Sequence, residues 1–228
     1  MYGRLRDRLP AWLRRYVLHF ETVIDDSVAR FAASLPPGAR VLDAGAGEMA
    51  HARFFPRQSY YGVDLGIGDA QWDYGKLDAV ADLVALPFPG GVFAACINIV
   101  TLEHVREPGR VLCEISRVLA PGGLLLLAAP HEWEVHQSPH DYFRYTRHGL
   151  AWLLSQAGFV EARIEPAGGY FRLMSRRLWN GLQFFPGPWF ALAALFLAPP
   201  ALLLPLFDGL DRRRDFTLGY VCTARKRS

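Results

Sequence analysis

Residues 41–50 read VLDAGAGEMA: a short apolar run, an aspartate, then Gly45 and Gly47. Taken from Ala39, the stretch ARVLDAG (39–45) has the length and composition of a buried strand running into a turn. Glycine serves such a turn in two ways. It takes backbone angles that other residues avoid, and it has no Cβ to hold a ligand off. The spacing Gly45-x-Gly47-x-x-Ala50, with a helix predicted after it, is that of dinucleotide-binding turns, and a turn that binds nothing can carry the same pattern. The stretch therefore predicts a strand and a turn and leaves the ligand open.

Outward from this turn, strands are predicted at YYGVD (60–64), AVADLVAL (79–86), AACINIV (94–100), LLLLAAP (124–130), FVEARIEP (159–166) and DFTLGYVCTARK (215–226). Helices are predicted at 109–119, stopped by Pro121-Gly122-Gly123, and at 147–157, ending at Gly158. Another covers 11–34, where Trp12, Tyr16, Phe20, Val23 and Ile24 recur at helical spacing before Pro36-Pro37-Gly38. Nearly continuous apolar strands alternating with helices predict a parallel sheet covered on both faces.

Three carboxylates follow the turn's logic. Asp64 ends the second predicted strand, where an acidic side chain can accept both hydroxyls of a ribose. Asp82, at the end of the third, is placed to accept from an exocyclic adenine amine, and Asp43 precedes the first glycine by two residues, near a ligand's ammonium group. So many carboxylates would repel a pyrophosphate and welcome a cationic adenosine, which favours a sulfonium cofactor over a nicotinamide dinucleotide.

VLDAGAGEMA, YYGVD and ADLVALPFPGGVFAACINIVTLEHVREPGRVLCEISRVLAPGGLLLLAAP, in that order, resemble the class I S-adenosylmethionine-dependent methyltransferases of the small-molecule type, over about residues 39–166 and again in the final strand. The resemblance implies an α/β, Rossmann-like seven-stranded sheet with helices on both faces and an antiparallel last strand, here with an apolar helical insert before that strand. It implies S-adenosylmethionine as cofactor, with Asp43, Gly45 and Gly47 at the methionine end, Asp64 and Leu65 at the ribose, Asp82 and Leu83 at the adenine, and the backbone near Val100 at the amino-acid group. The family often has a third small residue where this chain has Glu48-Met49-Ala50; Ala50 is small enough to keep the site.

A sulfonium carries an already reactive methyl group, so the protein's work is alignment and desolvation, with a base only where the acceptor must lose a proton. Candidates cluster after the fourth and fifth strands: Glu103, His104, His131, Glu132, Glu134, His136, His140 and Asp141. His104 reads either as a packing residue that lines the site or as a direct proton carrier. The segment HEWEVHQSPHDYFRYT (131–146) reads either as a lid packed by its own aromatics or as the acceptor pocket. In the pocket reading His140 or Asp141 is the base, Arg144 holds an acidic or phosphate group, and His131, His136, Tyr142 and Tyr145 contact the substrate. His136-x-x-x-His140-Asp141 has a metal-like spacing, but Pro139 breaks the helix that would align it, so no metal is expected.

Leu178–Phe207 contains no charged side chain. Two membrane crossings need about 40 apolar residues, and a single crossing would leave two strands of one sheet on opposite sides of the bilayer. Pro186, Pro188, Pro199, Pro200 and Pro205 are also expected to break the segment. It reads as a monotopic hairpin dipping into one leaflet, with Trp179, Trp189, Arg176, Arg177 and Arg212–Arg214 at headgroup level and the basic N-terminus (Arg4, Arg6, Arg8, Arg14, Arg15) on the same surface. The alternatives are packing against the sheet and a dimer interface. The expected division is an N-terminal amphipathic helix over 1–38 and a methyltransferase domain over 39–228, with the hairpin at about 176–214.

Of the 228 residues 51% are hydrophobic and 21% charged, which excludes a disordered chain. A net charge of +3 does not call for nucleic acid. Cys96, Cys113 and Cys222 form no CxxC, against a disulfide framework or a cysteine zinc site, and the N-terminus does not read as a secretory signal. The expectation is a methyltransferase at the cytoplasmic, inner face of a membrane, acting on a small or lipid-linked acceptor such as a lipid-linked sugar or a quinone-type ring. HDYFRYT (140–146) also resembles methyltransferases encoded among bacterial glycan-assembly genes. The alternative is a cofactor-binding scaffold of the same fold.

Overall fold

The computed structural model describes residues 10–68 and 71–228. Arg4, Arg6 and Arg8, expected on the basic surface, lie outside these residues. The chain divides into two compact units, one of Ile24–Glu165 with Tyr220–Ser228 and one of residues up to Val23 with Pro166–Gly219.

The larger unit is built on a seven-stranded sheet in the order β3-β2-β1-β4-β5-β7-β6. β1 (Arg40–Ala44), β2 (Ser59–Asp64), β3 (Ala79–Val80), β4 (Phe93–Ile99) and β5 (Leu119–Pro130) run parallel. β6 (Phe159–Pro166) and β7 (Gly219–Lys226) run against each other, since Ala167 N donates to Gly219 O at one end and Arg227 N to Gly158 O at the other. Leu125, Leu126 and Leu127 of β5 are all buried, as expected of a strand covered on both faces. α3 (Pro108–Val118) starts on a proline, whose missing N–H costs nothing in a first turn, and buries Val111, Leu112, Ile115 and Val118. α4 (Arg147–Gln156) is capped by Thr146, whose hydroxyl accepts from Gly149 N at 3.1 Å, and buries Leu150 and Leu154. Asp43 stands beside Gly62 in one neighbour and Ile97 in the other, so β1, β2 and β4 deliver their carboxyl ends to one edge of the sheet.

Three local expectations are corrected. The third strand, expected within 79–86 and ending at Asp82, is the two residues Ala79–Val80. Asp82 ends it by accepting Val84 N at 3.1 Å on Oδ1 while Ala85 N donates to its carbonyl, which folds 82–85 into a turn. The glycine turn leads into further turns and a 3₁₀ segment at Ala52–Phe54, not into an α-helix. The segment 11–34 forms two helices, α1 (Ala11–Val17) and α2 (His19–Ser34), separated at Leu18. In addition, the register between β4 and β5 jumps from Phe93↔Leu119 to Ala95↔Leu124, so Pro121-Gly122-Gly123 sits in a bulge inside β5.

The smaller unit holds the apolar insert as a helical hairpin, α5 (Tyr170–Gly181) and α6 (Pro188–Leu203), extended by a 3₁₀ run at Leu204–Leu210. Buried Asp208 accepts the amides of Gly169 and Arg172, each at 3.1 Å, and Asp211 accepts Tyr170 N at 2.9 Å. Two acids from the far end of the hairpin thereby satisfy orphan donors and the positive dipole at the start of α5. Ser175 Oγ ties the two helices by donating to Ala201 O at 2.6 Å, and buried Arg176 pairs with Glu21 at 3.0 Å. Pro199 and Pro200 do not break α6, contrary to expectation. Proline's φ is helical, and the helix runs on through both residues despite the lost N–H bond and the ring's clash with the preceding turn, a cost of about 3 kcal/mol per residue in a helix interior. The continuous run Pro188–Leu210, 23 residues, is long and apolar enough to cross a membrane by length and composition, and Trp189, Leu195, Phe196 and Leu206 are exposed on it.

Candidate functional site

The turn after β1 is held by its neighbours. Gly45 N and Ala46 N both donate to Val63 O, at 2.8 and 3.1 Å, and buried Asn98 donates to Ala44 O at 2.7 Å. Gly45 has φ +92, and a Cβ there would fall on the Thr101 side chain. The turn also fixes the carboxylate after β2. Asp64 accepts Gly47 N at 3.0 Å on one oxygen and Gly66 N at 2.8 Å on the other, and each oxygen keeps a lone pair for a ligand.

A cavity of about 260 Å³ opens at this sheet edge. Of the residues singled out from the sequence, Gly45, Gly47, Asp64, Leu65, Asp82, Leu83, Val100, His104 and His140 line it. Val100 holds φ +50, an unfavourable angle for a β-branched residue, while its N–H donates to Ala128 O at 2.8 Å. Asp43, His131, His136, Asp141, Tyr142, Arg144 and Tyr145 are not on the wall. Sequence reasoning gave no site role to Glu48, His51, Trp72 and Thr101, which are on it. The signal for Trp72 was an aromatic pair, Trp72 and Tyr74, within the glycine-rich stretch after β2.

Asp43 lies behind the turn, fully buried, and accepts the Tyr60 hydroxyl. Burial pushes its carboxyl up to about 7; the Tyr60 hydrogen bond opposes the shift and the Asp64 charge adds to it.

The segment 131–146 is organised by Arg144, whose five N–H donors are all engaged within it. They meet Asp141 at 2.7 and 2.8 Å and the carbonyls of Trp133, Glu134 and Phe143. No donor remains for an acidic acceptor. The Arg144 hydrogen bonds hold the Asp141 carboxyl at about 2, so it is a poor base. Tyr145 is buried and donates to Leu102 O at 2.7 Å, and His131 Nδ1 donates to Tyr145 O at 2.8 Å. Tyr142 accepts from Arg106 at 3.2 Å. Tyr142 N and Phe143 N both donate to Glu103 O, fastening the segment to the 3₁₀ turn Leu102–His104. Buried Glu103 has its carboxyl raised to about 8 by desolvation.

Sheet order, glycine turn and acid-lined cavity define a doubly wound α/β protein with a ligand site at the carboxyl edge of its strands. Residues 16–161 match the methyltransferase-domain family, and the chain belongs to that family. It is 31% identical over 144 residues to the tRNA (carboxymethyluridine(34)-5-O)-methyltransferase of Arabidopsis thaliana, covering 61% of this chain and 33% of that protein. It is 28% identical over 120 residues to the 2-methyl-6-phytyl-1,4-hydroquinone methyltransferase of Synechocystis sp., covering 48% of this chain and 38% of that protein. The chain thus spans a third to about half the length of the curated relatives it matches. In fold it is similar to phosphoethanolamine N-methyltransferase 2 of Haemonchus contortus, solved with S-adenosyl-L-methionine, with TM-score 0.58, 16% identity and coverage of 90% of this chain and 52% of that one.

Proposed function

We propose that the chain binds S-adenosylmethionine in the acid-lined cavity and transfers its methyl group to a small amphiphilic acceptor at a membrane surface. The observation that carries this reading is the charge of the wall: Glu48, Asp64 and Asp82 line the cavity and, among the described residues, no lysine or arginine does. A pyrophosphate would meet three carboxylates and no α-helix amino terminus, whereas a cationic nucleoside meets complementary charge. When bound, the cofactor supplies an electrophilic methyl on its sulfonium.

The chain's residues then have distinct tasks. Asp64 accepts the ribose hydroxyls, Asp82 the adenine amine, and Leu83 packs on the base. Gly45 and Gly47 let the methionine end approach the backbone, Val100 borders the amino-acid group, and Asp43 acts through the turn it underlies. Of the imidazoles on the cavity wall, His104 and His140 come from the segments after β4 and β5; His140 is the group that takes the acceptor's proton, since His104 donates Nδ1–H to His140 O and its Nε2 is buried. Asp141 positions the segment that carries His140 by accepting His136 N at 2.8 Å.

The exposed apolar run Pro188–Leu210 supports contact with a membrane, and a relative named for a phytyl hydroquinone supports an acceptor with a polar ring and an apolar tail. A lipid-linked sugar has the same amphiphilic character. The test combines calorimetric titration with S-adenosylmethionine and with NADH, and mass spectrometry of extracted lipids and glycans with and without the gene. S-adenosylmethionine binding together with a mass increase of about 14 daltons in an amphiphile, one methyl for one hydrogen, supports the reading. NADH binding in its place overturns it, and S-adenosylmethionine binding without any methylated product leaves the scaffold alternative.

A further inference from the structure

We propose that Glu103, His104 and His136 bind one divalent transition-metal ion of the zinc class beside the cofactor cavity. His104 Nε2 lies 3.7 Å and His136 Nε2 3.8 Å from Glu103 Oε1, and the three ligand atoms all fall within 4.8 Å of one another. A tetrahedral ion with bonds of about 2.0–2.2 Å holds its ligand atoms roughly 3.3–3.6 Å apart, so small side-chain shifts close the set.

The hydrogen bonds around the cluster set the right tautomers. His104 Nδ1 donates to His140 O at 2.6 Å and His136 Nδ1 to Glu134 O at 3.1 Å, with Asp141 Oδ2 3.5 Å from the same nitrogen. Backbone carbonyls only accept, so both rings carry their proton on Nδ1 and turn an Nε2 lone pair toward Glu103. Carbonyl-bound Nδ1–H groups are the usual outer support of metal-ligating histidines.

The inner atoms are left unmatched. Both Glu103 carboxylate oxygens and His104 Nε2 are buried with no hydrogen-bond partner among the described residues, and 3.7 Å is too long for a hydrogen bond between them. Glu103 is fully buried, where an unpaired carboxylate is expensive. A cation satisfies all three groups at once. Two imidazoles and one carboxylate suit zinc rather than magnesium or calcium, and leave a fourth position for water or a substrate oxygen, whose pKa the ion lowers. With the ion in place His104 is a ligand, and His140 stays available as the proton carrier. The inference rests on these residues and not on the methyl-transfer reading.

The test uses the full chain without an affinity tag, treated with chelator, dialysed and titrated with Zn²⁺ alone, then with Co²⁺ to read the visible absorption of a four-coordinate site. One equivalent of each is expected. His136→Ala is expected to weaken Zn²⁺ by more than about 100-fold, since losing a ligand exceeds the 10–100-fold cost of losing its outer support. Glu103→Gln should do the same. His136 is half-buried, so its alanine variant keeps the fold, which the melting of the metal-free protein checks. No Zn²⁺ binding by the unaltered chain, or equal affinity in His136→Ala, overturns the site. S-adenosylmethionine affinity, measured separately, reports on the methyltransferase reading and not on this one.

Discussion

The amide of Gly47 donates to the carboxylate of Asp64 at 3.0 Å, across the boundary between the turn after β1 and the end of β2. The glycine turn therefore does more than make room for a ligand. It orients the acid proposed to hold the ribose, so the two halves of the proposed cofactor site are one hydrogen-bonded unit.

Asp64→Ala is expected to weaken S-adenosylmethionine by roughly 1–3 kcal/mol, the range for losing charge-assisted hydrogen bonds. Calorimetry gives the number directly. An unchanged affinity would remove Asp64 from the ribose site.

Gly45→Ala places a methyl group on Thr101 and forces alanine to φ +92. The expected loss is about 1–3 kcal/mol of stability, read as a lower urea midpoint at constant slope. Adding Thr101→Gly removes every Thr101 side-chain atom in the way of the new methyl and not the backbone strain, so it should return only a fraction of the loss. Full recovery would show that the angle at Gly45 costs nothing.

Asp43 gives the larger unit a pH dependence. Its carboxyl is raised from 3.8 to about 7 in the fold, so the folded state favours the protonated acid. The associated stability is complete below the unfolded value and is lost as pH rises through the folded one, by up to ~4 kcal/mol. Asp43→Asn keeps the shape without the charge. Urea unfolding across that pH window should show the variant with a flatter profile than the parent; parallel profiles would argue against a buried, protonated Asp43.

Arg144→Lys replaces five planar donors by three on a point charge, and Lys cannot serve both Asp141 oxygens and three carbonyls together. The segment 131–146 should exchange its amides faster, with roughly 2–4 kcal/mol less protection. Because His140 rides on this segment, turnover should fall more than cofactor affinity. Hydrogen exchange by mass spectrometry, with a kcat and Kd comparison, separates the two effects.

Phe196→Glu together with Leu195→Glu puts two charges on exposed positions of α6. If this face lies in a leaflet, flotation with anionic vesicles should be lost while S-adenosylmethionine still binds. Retained flotation would take the membrane contact away from the hairpin.

The order of strands, the glycine turn and the wall residues Asp64, Leu65, Asp82, Leu83 and Val100 were legible in the sequence. The strands, the turn, Asp64 and Asp82 follow from local chemistry, namely apolar runs that need two covered faces, glycines where a side chain does not fit, and an acid at a strand's end; Leu65, Leu83 and Val100 came from the resemblance to the methyltransferase family. The two-residue β3 was not legible, because the Asp82 side chain competes with the sheet for the backbone of its own turn. Nor was the unbroken α6, which carries Pro199 and Pro200 in its interior against their local cost while its backbone is tied to α5 by Ser175. The role of Arg144 also lay beyond the sequence. An arginine among histidines and acids reads as an anion grip, and only the folded segment shows its donors already taken. The same holds for Glu103, His104 and His136. A long stretch of chain separates the first pair from the third, and no spacing rule links them. Local pattern determined which elements form and which of them meet at the sheet edge; tertiary structure decided which polar atoms are left facing one another there, because that depends on how a distant segment folds back onto a buried turn.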